Sequence, residues 1–209
     1  MKQYIFLFMS IFFFVGCSEQ NDEISSEKNN IPEVNKMDLS NLIAVVSKET
    51  PNLYKINREY LAQRGTMMTE KTASSKDLQQ LSQSLLAITK ETKLVLQEYG
   101  ITDEFIKETL GDSNDNRMAL IGLALIEVQR TSVATRSLDW NDVASCGAAA
   151  LGLDVLEDMR KALTGKRMTR EIVERVLKKS IKKIATRLSG VIGVSITVAE
   201  FGVCLAIAS

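Results

Sequence analysis

Apolar residues recur in steps of three and four from Leu39 almost to the end of the chain, the period of helices with one buried face. Leu42, Val45 and Val46 predict a short helix ending before Pro51, because proline lacks an amide donor and crowds the preceding turn. Leu53, Ile56, Tyr60 and Leu61 predict a second helix over 52–64, with Gly65 as its terminator. Further on, Ser74 and Ser75 can cap a long helix carrying Leu78, Leu81, Leu85, Ile88, Thr92, Val95 and Tyr99, and Gly100 stops it. Thr102-Asp103-Glu104 opens a short helix that buries Phe105, Ile106 and Leu110 and ends at Gly111. Asn114 or Asp115 caps a helix over 117–133, in which 118–126 is almost entirely apolar. A helix apolar on every side belongs in the middle of a bundle, and one this short does not cross a bilayer. No stretch alternates with the period of a strand. The pattern predicts an all-α fold, an irregular multi-helix bundle over 38–209 with a C-terminal helical hairpin.

The C-terminal part, 139–209, reads as a chemically distinct subdomain. Asp139 caps a helix over 140–163 that contains Ala144-Ser145-Cys146-Gly147-Ala148-Ala149-Ala150, a run of small side chains. Thr164-Gly165-Lys166 turns the chain, and Thr169 caps the next helix, whose apolar face is Ile172, Val173, Val176, Leu177, Ile181, Ile184 and Leu188. Nine Lys or Arg and two Glu lie between Lys166 and Arg187, so this helix is basic and amphipathic. Its cations Lys178, Lys179, Lys182, Lys183 and Arg187 are either a solvated bundle face or a contact for anionic headgroups or an acidic partner. From 188 to 209 the only charge is Glu200. Gly190, Gly193, Thr197, Cys204 and Ala208 share one narrow face there, a small-residue seam of the kind that packs helices closely. A buried bundle helix is the preferred reading of this tail, with insertion into a membrane as the alternative.

The first residues follow a different pattern. Met1-Lys2-Gln3 carries one positive charge, and 4–16 run without any charge to Gly16-Cys17. That apolar run falls short of the ~20 residues of a membrane anchor and fits the apolar region of a secretory signal, 1–16. Phe14-Val15-Gly16-Cys17 resembles the lipobox of bacterial lipoproteins, in the relaxed form found in Bacteroidota. The resemblance implies a diacylglycerol on the Cys17 thiol and cleavage before it. Gly16 is the small residue this requires; Phe14 and Val15 depart from the usual Leu and Ala or Ser. Ser18, rather than Asp, resembles the pattern sorted to the outer membrane instead of the inner. The acidic residues Glu19, Asp22 and Glu23 resemble a surface-export signal of such lipoproteins, or else belong to a solvated tether. Residues 17–37 are polar, with six acids against two lysines between Ser18 and Asp38, too polar to fold, and read as a flexible tether.

Composition narrows the chemistry. Five of the seven Phe lie within 1–16, so the remaining core is aliphatic. Net charge is zero, which gives no global field for nucleic acid, and the chain contains no His. His-based triads, His general bases and His metal ligands are therefore excluded. With Cys17 taken by lipid, Cys146 and Cys204 remain as an even pair in an oxidising compartment and are expected to form a disulfide. The bond would close a loop of ~60 residues and stabilise by ~4 kcal/mol if unstrained. A plain up-down-up arrangement bent at Ser189-Gly190 would leave the two cysteines ~10 Å out of register, so crossed helices or a shifted bend are needed. Adjacent acids such as Glu157-Asp158 and Asp103-Glu104 point apart on a helix, and Leu163-Thr164-Gly165-Lys166 lacks the upstream glycine of a phosphate-binding loop.

No catalytic residue, metal site or cofactor is expected. The sequence reads as a lipid-anchored envelope protein, held to a membrane through its N-terminal lipid, that binds a protein or glycan partner of the envelope. The alternative is a membrane-active effector. In that reading 140–204 resembles, loosely, the Cys-bearing, Gly- and Ala-rich helical hairpins of membrane-active bacterial peptides.

Overall fold

A computed structural model describes residues 37–64, 69, 71–133, 151–164, 169–187 and 190–207. The chain divides into the units Met1–Asn30 and Ile31–Ser209, and every described residue belongs to the second. Among the described residues there are seven helices and no strand: α1 (Ser40–Arg64), α2 (Ser75–Glu98), α3 (Asp103–Leu110), α4 (Met118–Val133), α5 (Leu153–Thr164), α6 (Arg170–Ala185) and α7 (Val191–Ile207). The fold is all-α, as the periodicity predicts.

Local chemistry sets the helix ends. Ser74 caps α2: its hydroxyl accepts from the Asp77 amide at 3.1 Å and donates to the Asp77 carboxylate at 2.7 Å. At the other end Gly100 takes φ +84°, and two backbone bonds, Gly100 to Gln97 and Ile101 to Leu96, close the last turn. Ile101 and Leu96 are both fully buried there, so an apolar contact fixes the exit of the chain. Thr102 caps α3, and Gly111 ends it with φ +90°.

The apolar α4 occupies the centre and packs against α1, α2, α5, α6 and α7. Met118, Leu120, Leu123 and Leu125 are fully buried, each contributing about 1.5–3 kcal/mol of hydrophobic stabilisation. Gly122 permits the crossing with α2, since a Cβ there would overlap the hydroxyl of Thr92.

Three expectations change. First, α1 runs unbroken through Pro51. Leu42, Val46, Leu53 and Tyr60 keep one buried face across the proline, while the exposed ring faces solvent. Continued burial on both sides offsets the lost backbone bond. Leu61, expected inside, is instead 42% exposed. Second, no single helix reaches 163 from the region of Trp140, because Gly152 interrupts it with φ +84°. A side chain at Gly152 would also overlap the Arg187 guanidinium. Third, the described part of the tail's small-residue seam is not fully buried: Gly190 is exposed, and Gly193 and Thr197 are half-buried. Around Gly193 the space is open, whereas Gly202, about half a turn away around the helix, lies against Thr50 of α1. Phe105 and Val176 are half-buried, and Ile172 is 37% exposed.

The C-terminal hairpin consists of α5 and α6. Helix α7 leaves it and packs on α1, α4 and α2. Its buried side carries Ile192, Val194, Ser195, Val198, Ala199 and Phe201. Among the described residues, no helix is long and apolar enough to cross a membrane.

Candidate functional site

Of the residues singled out in the sequence, Cys17 and Cys146 lie outside the described residues, as does the side chain of Cys204 on α7. Of the tether expected over 17–37 only Met37 is described, and it is buried in the core rather than solvated; the proposed bond is not described either.

The basic helix α6 is fully described, and its cations have particular neighbours. Lys179 donates to Asp158 at 2.9 Å; Lys183 reaches both Asp154 at 2.8 Å and Asp158 at 3.1 Å. Arg187 completes the set, with Asp154 at 2.7 Å and a further bond to the carbonyl of Leu151. Bonds from Lys183 and then Arg187 hold the Asp154 carboxyl well below its ordinary range. Lys179 and then Lys183 lower Asp158, and the same two acids raise Lys183. The network ties α6 to the start and middle of α5.

On the opposite flank Lys178 pairs with Glu174 at 2.6 Å and sits 5.2 Å from the Phe105 ring centroid. Lys182 stands 5.8 Å above the same ring. Phe105 on α3 thus lies beneath two cations of α6, an arrangement worth about 0.5–1 kcal/mol per cation at exposed sites. Arg117, just before α4, closes the lower end. It donates to the Leu110 carbonyl at 2.8 Å and the Ala185 carbonyl at 2.6 Å, the last residues of α3 and α6. Asp115 grips the same guanidinium and raises its pKa. A cation over two helix C-termini satisfies carbonyls that have no partner within their helices.

Two features were missed in the sequence. Glu127 lies within the apolar α4 and is only 5% exposed; burial raises its pKa, and the charge of Arg130 partly opposes this. Its position between Ile126 and Val128 is visible in the sequence, but not which side of the central helix it faces. The second is a groove between α1 and α7 of about 210 Å³, walled by Tyr54, Leu61, Ile196 and Ala199 and edged by Arg58 and Glu200. Arg58 donates to the Tyr54 hydroxyl at 3.2 Å, with its guanidinium 5.8 Å from the ring centroid. Among the described residues, neither Arg58 nor Glu200 makes an ion pair. In this groove apolar surface meets charges of both signs that make no ion pair among the described residues. No cluster of three or more metal-ligating side chains occurs among the described residues. No protein-family model, curated protein or solved structure matches the chain.

Proposed function

We propose that the chain is a lipid-anchored cell-envelope protein, fixed to the outer membrane through Cys17, that acts as a non-enzymatic binding module for a partner in the envelope. The lipobox-like Phe14-Val15-Gly16-Cys17 supports the anchoring. What favours binding over membrane activity is how α6 and α7 are used in the bundle. Lys179, Lys183 and Arg187 are engaged by Asp154 and Asp158, and Lys178 by Glu174. The apolar tail meanwhile supplies Val194, Val198 and Phe201 to the core. A membrane-active helix would have to break several ion pairs and withdraw α7 before it could insert.

Two measurements test the proposal. Intact-mass spectrometry of the mature protein, alkylated without reduction, is expected to show a lipid mass on Cys17; protein with an unlipidated N-terminus elsewhere defeats the anchoring. Dye-loaded vesicles of zwitterionic and anionic lipid are expected to stay intact with the full chain. Leakage would replace the binding module by the membrane-active effector.

A further inference from the structure

The surface of α1 divides into three arcs. One is buried: Leu42, Val46, Leu53 and Tyr60. A second holds the exposed polar residues Lys48, Asn52, Lys55 and Glu59. The third is exposed yet almost uncharged: Ile43, Ser47, Pro51, Tyr54, Arg58 and Leu61. Ile43, Tyr54 and Leu61 are 42%, 38% and 42% exposed, and at about 100° per residue they fall within about 20° of one another. The apolar arc of α1 is therefore wider than its packing uses, and the excess forms one stripe about 27 Å long. The stripe continues across the groove onto Ile196 and Glu200 of α7. Contiguous apolar surface of this kind marks a contact site.

Charge indicates what covers it. The stripe and groove carry one cation, Arg58 on the α1 wall, and one anion, Glu200 on the α7 wall, and among the described residues neither makes an ion pair. Such a patch is neutral and complementary to itself. A two-fold axis through the midpoint of the two charges places each beside its opposite in a second copy, with apolar surface on both sides. We propose that this face is the interface of a symmetric homodimer, in which Arg58 of each copy meets Glu200 of the other. Closed two-fold pairing of this type buries the stripe without leaving a second sticky surface. The proposal rests on reading the chain as a binding module and names its partner.

The test uses the full chain in the cell that expresses it, carrying two different affinity tags on two co-expressed copies. Leu61→p-benzoylphenylalanine places a photo-crosslinker on the stripe, and Asn52→p-benzoylphenylalanine is the control on the polar arc. The expected result is a product of twice the chain mass containing both tags from position 61 and none from position 52. R58E and E200R should each lower its yield several-fold, and the double reversal R58E/E200R should recover it, since opposite charges then face each other again. All four substituted positions, 52, 58, 61 and 200, are exposed, and unchanged thermal unfolding of the variants verifies the fold. The dimer is overturned by absence of a mixed-tag product, by crosslinks to another protein or to lipid, by yield indifferent to both reversals, or by a double reversal that fails to recover. None of these outcomes affects vesicle integrity, so failure of the dimer is separable from failure of the binding-module reading.

Discussion

Two glycines of one helix illustrate how far a residue type is from a role. Gly193 and Gly202 both lie in α7, and only the second has a neighbour that a side chain would strike, Thr50. Gly202→Ala should therefore cost about 1–3 kcal/mol through overpacking. Gly193→Ala, in open space near the start of the helix, should instead gain up to about 1 kcal/mol by removing glycine's backbone freedom. Urea unfolding of the two variants beside the parent chain measures both; equal effects would mean that the α1–α7 contact is not set by Gly202. Thr50 adds a cost at that contact, because its buried hydroxyl has no hydrogen-bond partner among the described residues, a desolvation penalty of about 1–3 kcal/mol. Periodicity places both glycines on α7 but cannot choose among its sides. A helix so uniformly apolar offers no polar face to orient it, so small residues alone do not tell which side packs, and Gly193 and Gly202 fall on opposite ones.

Elements with a polar face were far more legible. The turns of α2 and α3, their caps and their closing glycines follow from Ser74, Gly100, Thr102 and Gly111, since each acts on its own neighbourhood. Pro51 also acts locally, yet the local rule gave the wrong answer, because Leu42, Val46, Leu53 and Tyr60 bury one continuous face. Pro51→Ala should restore a backbone bond to the Ser47 carbonyl and raise stability by about 1–3 kcal/mol, read as a higher urea midpoint. The partners of the basic helix were not legible at all. Asp154 and Lys183 are 29 residues apart, and nothing in the spacing of either helix aligns them. Their pairing has a pH signature. Asp154 and Asp158 have folded pKa values below their unfolded ones, so the stability they supply is complete above about pH 4 and is lost as pH falls through the depressed folded values. Asp154→Asn should flatten that acid loss. At neutral pH it should cost roughly 1 kcal/mol, less at high salt, since these groups are partly exposed.

At the scale of the whole molecule, α4 determines what the other helices are for. Each of α1, α2, α5, α6 and α7 covers part of it, and the bundle is closed at the N-terminal side by Met37 and Leu39, both buried before α1 begins. Gln129 of α4 donates to the Met37 carbonyl at 2.6 Å. A chain shortened to begin at Ser40 should lose about 3.5–7.5 kcal/mol, the burial of two large apolar side chains and one hydrogen bond. A chain beginning at Asn35 should match the parent in thermal unfolding. Such a loss is a large part of the ~5–15 kcal/mol that holds an ordinary domain together. The same hydrogen bond has a mechanical meaning. On the proposed anchoring through Cys17, Met37 is the first described residue of the bundle, and its bond to Gln129 would brace that end against a pull along the chain. That bond joins the segment before α1 to the central helix, so the brace bears on α4 and not on α1 alone.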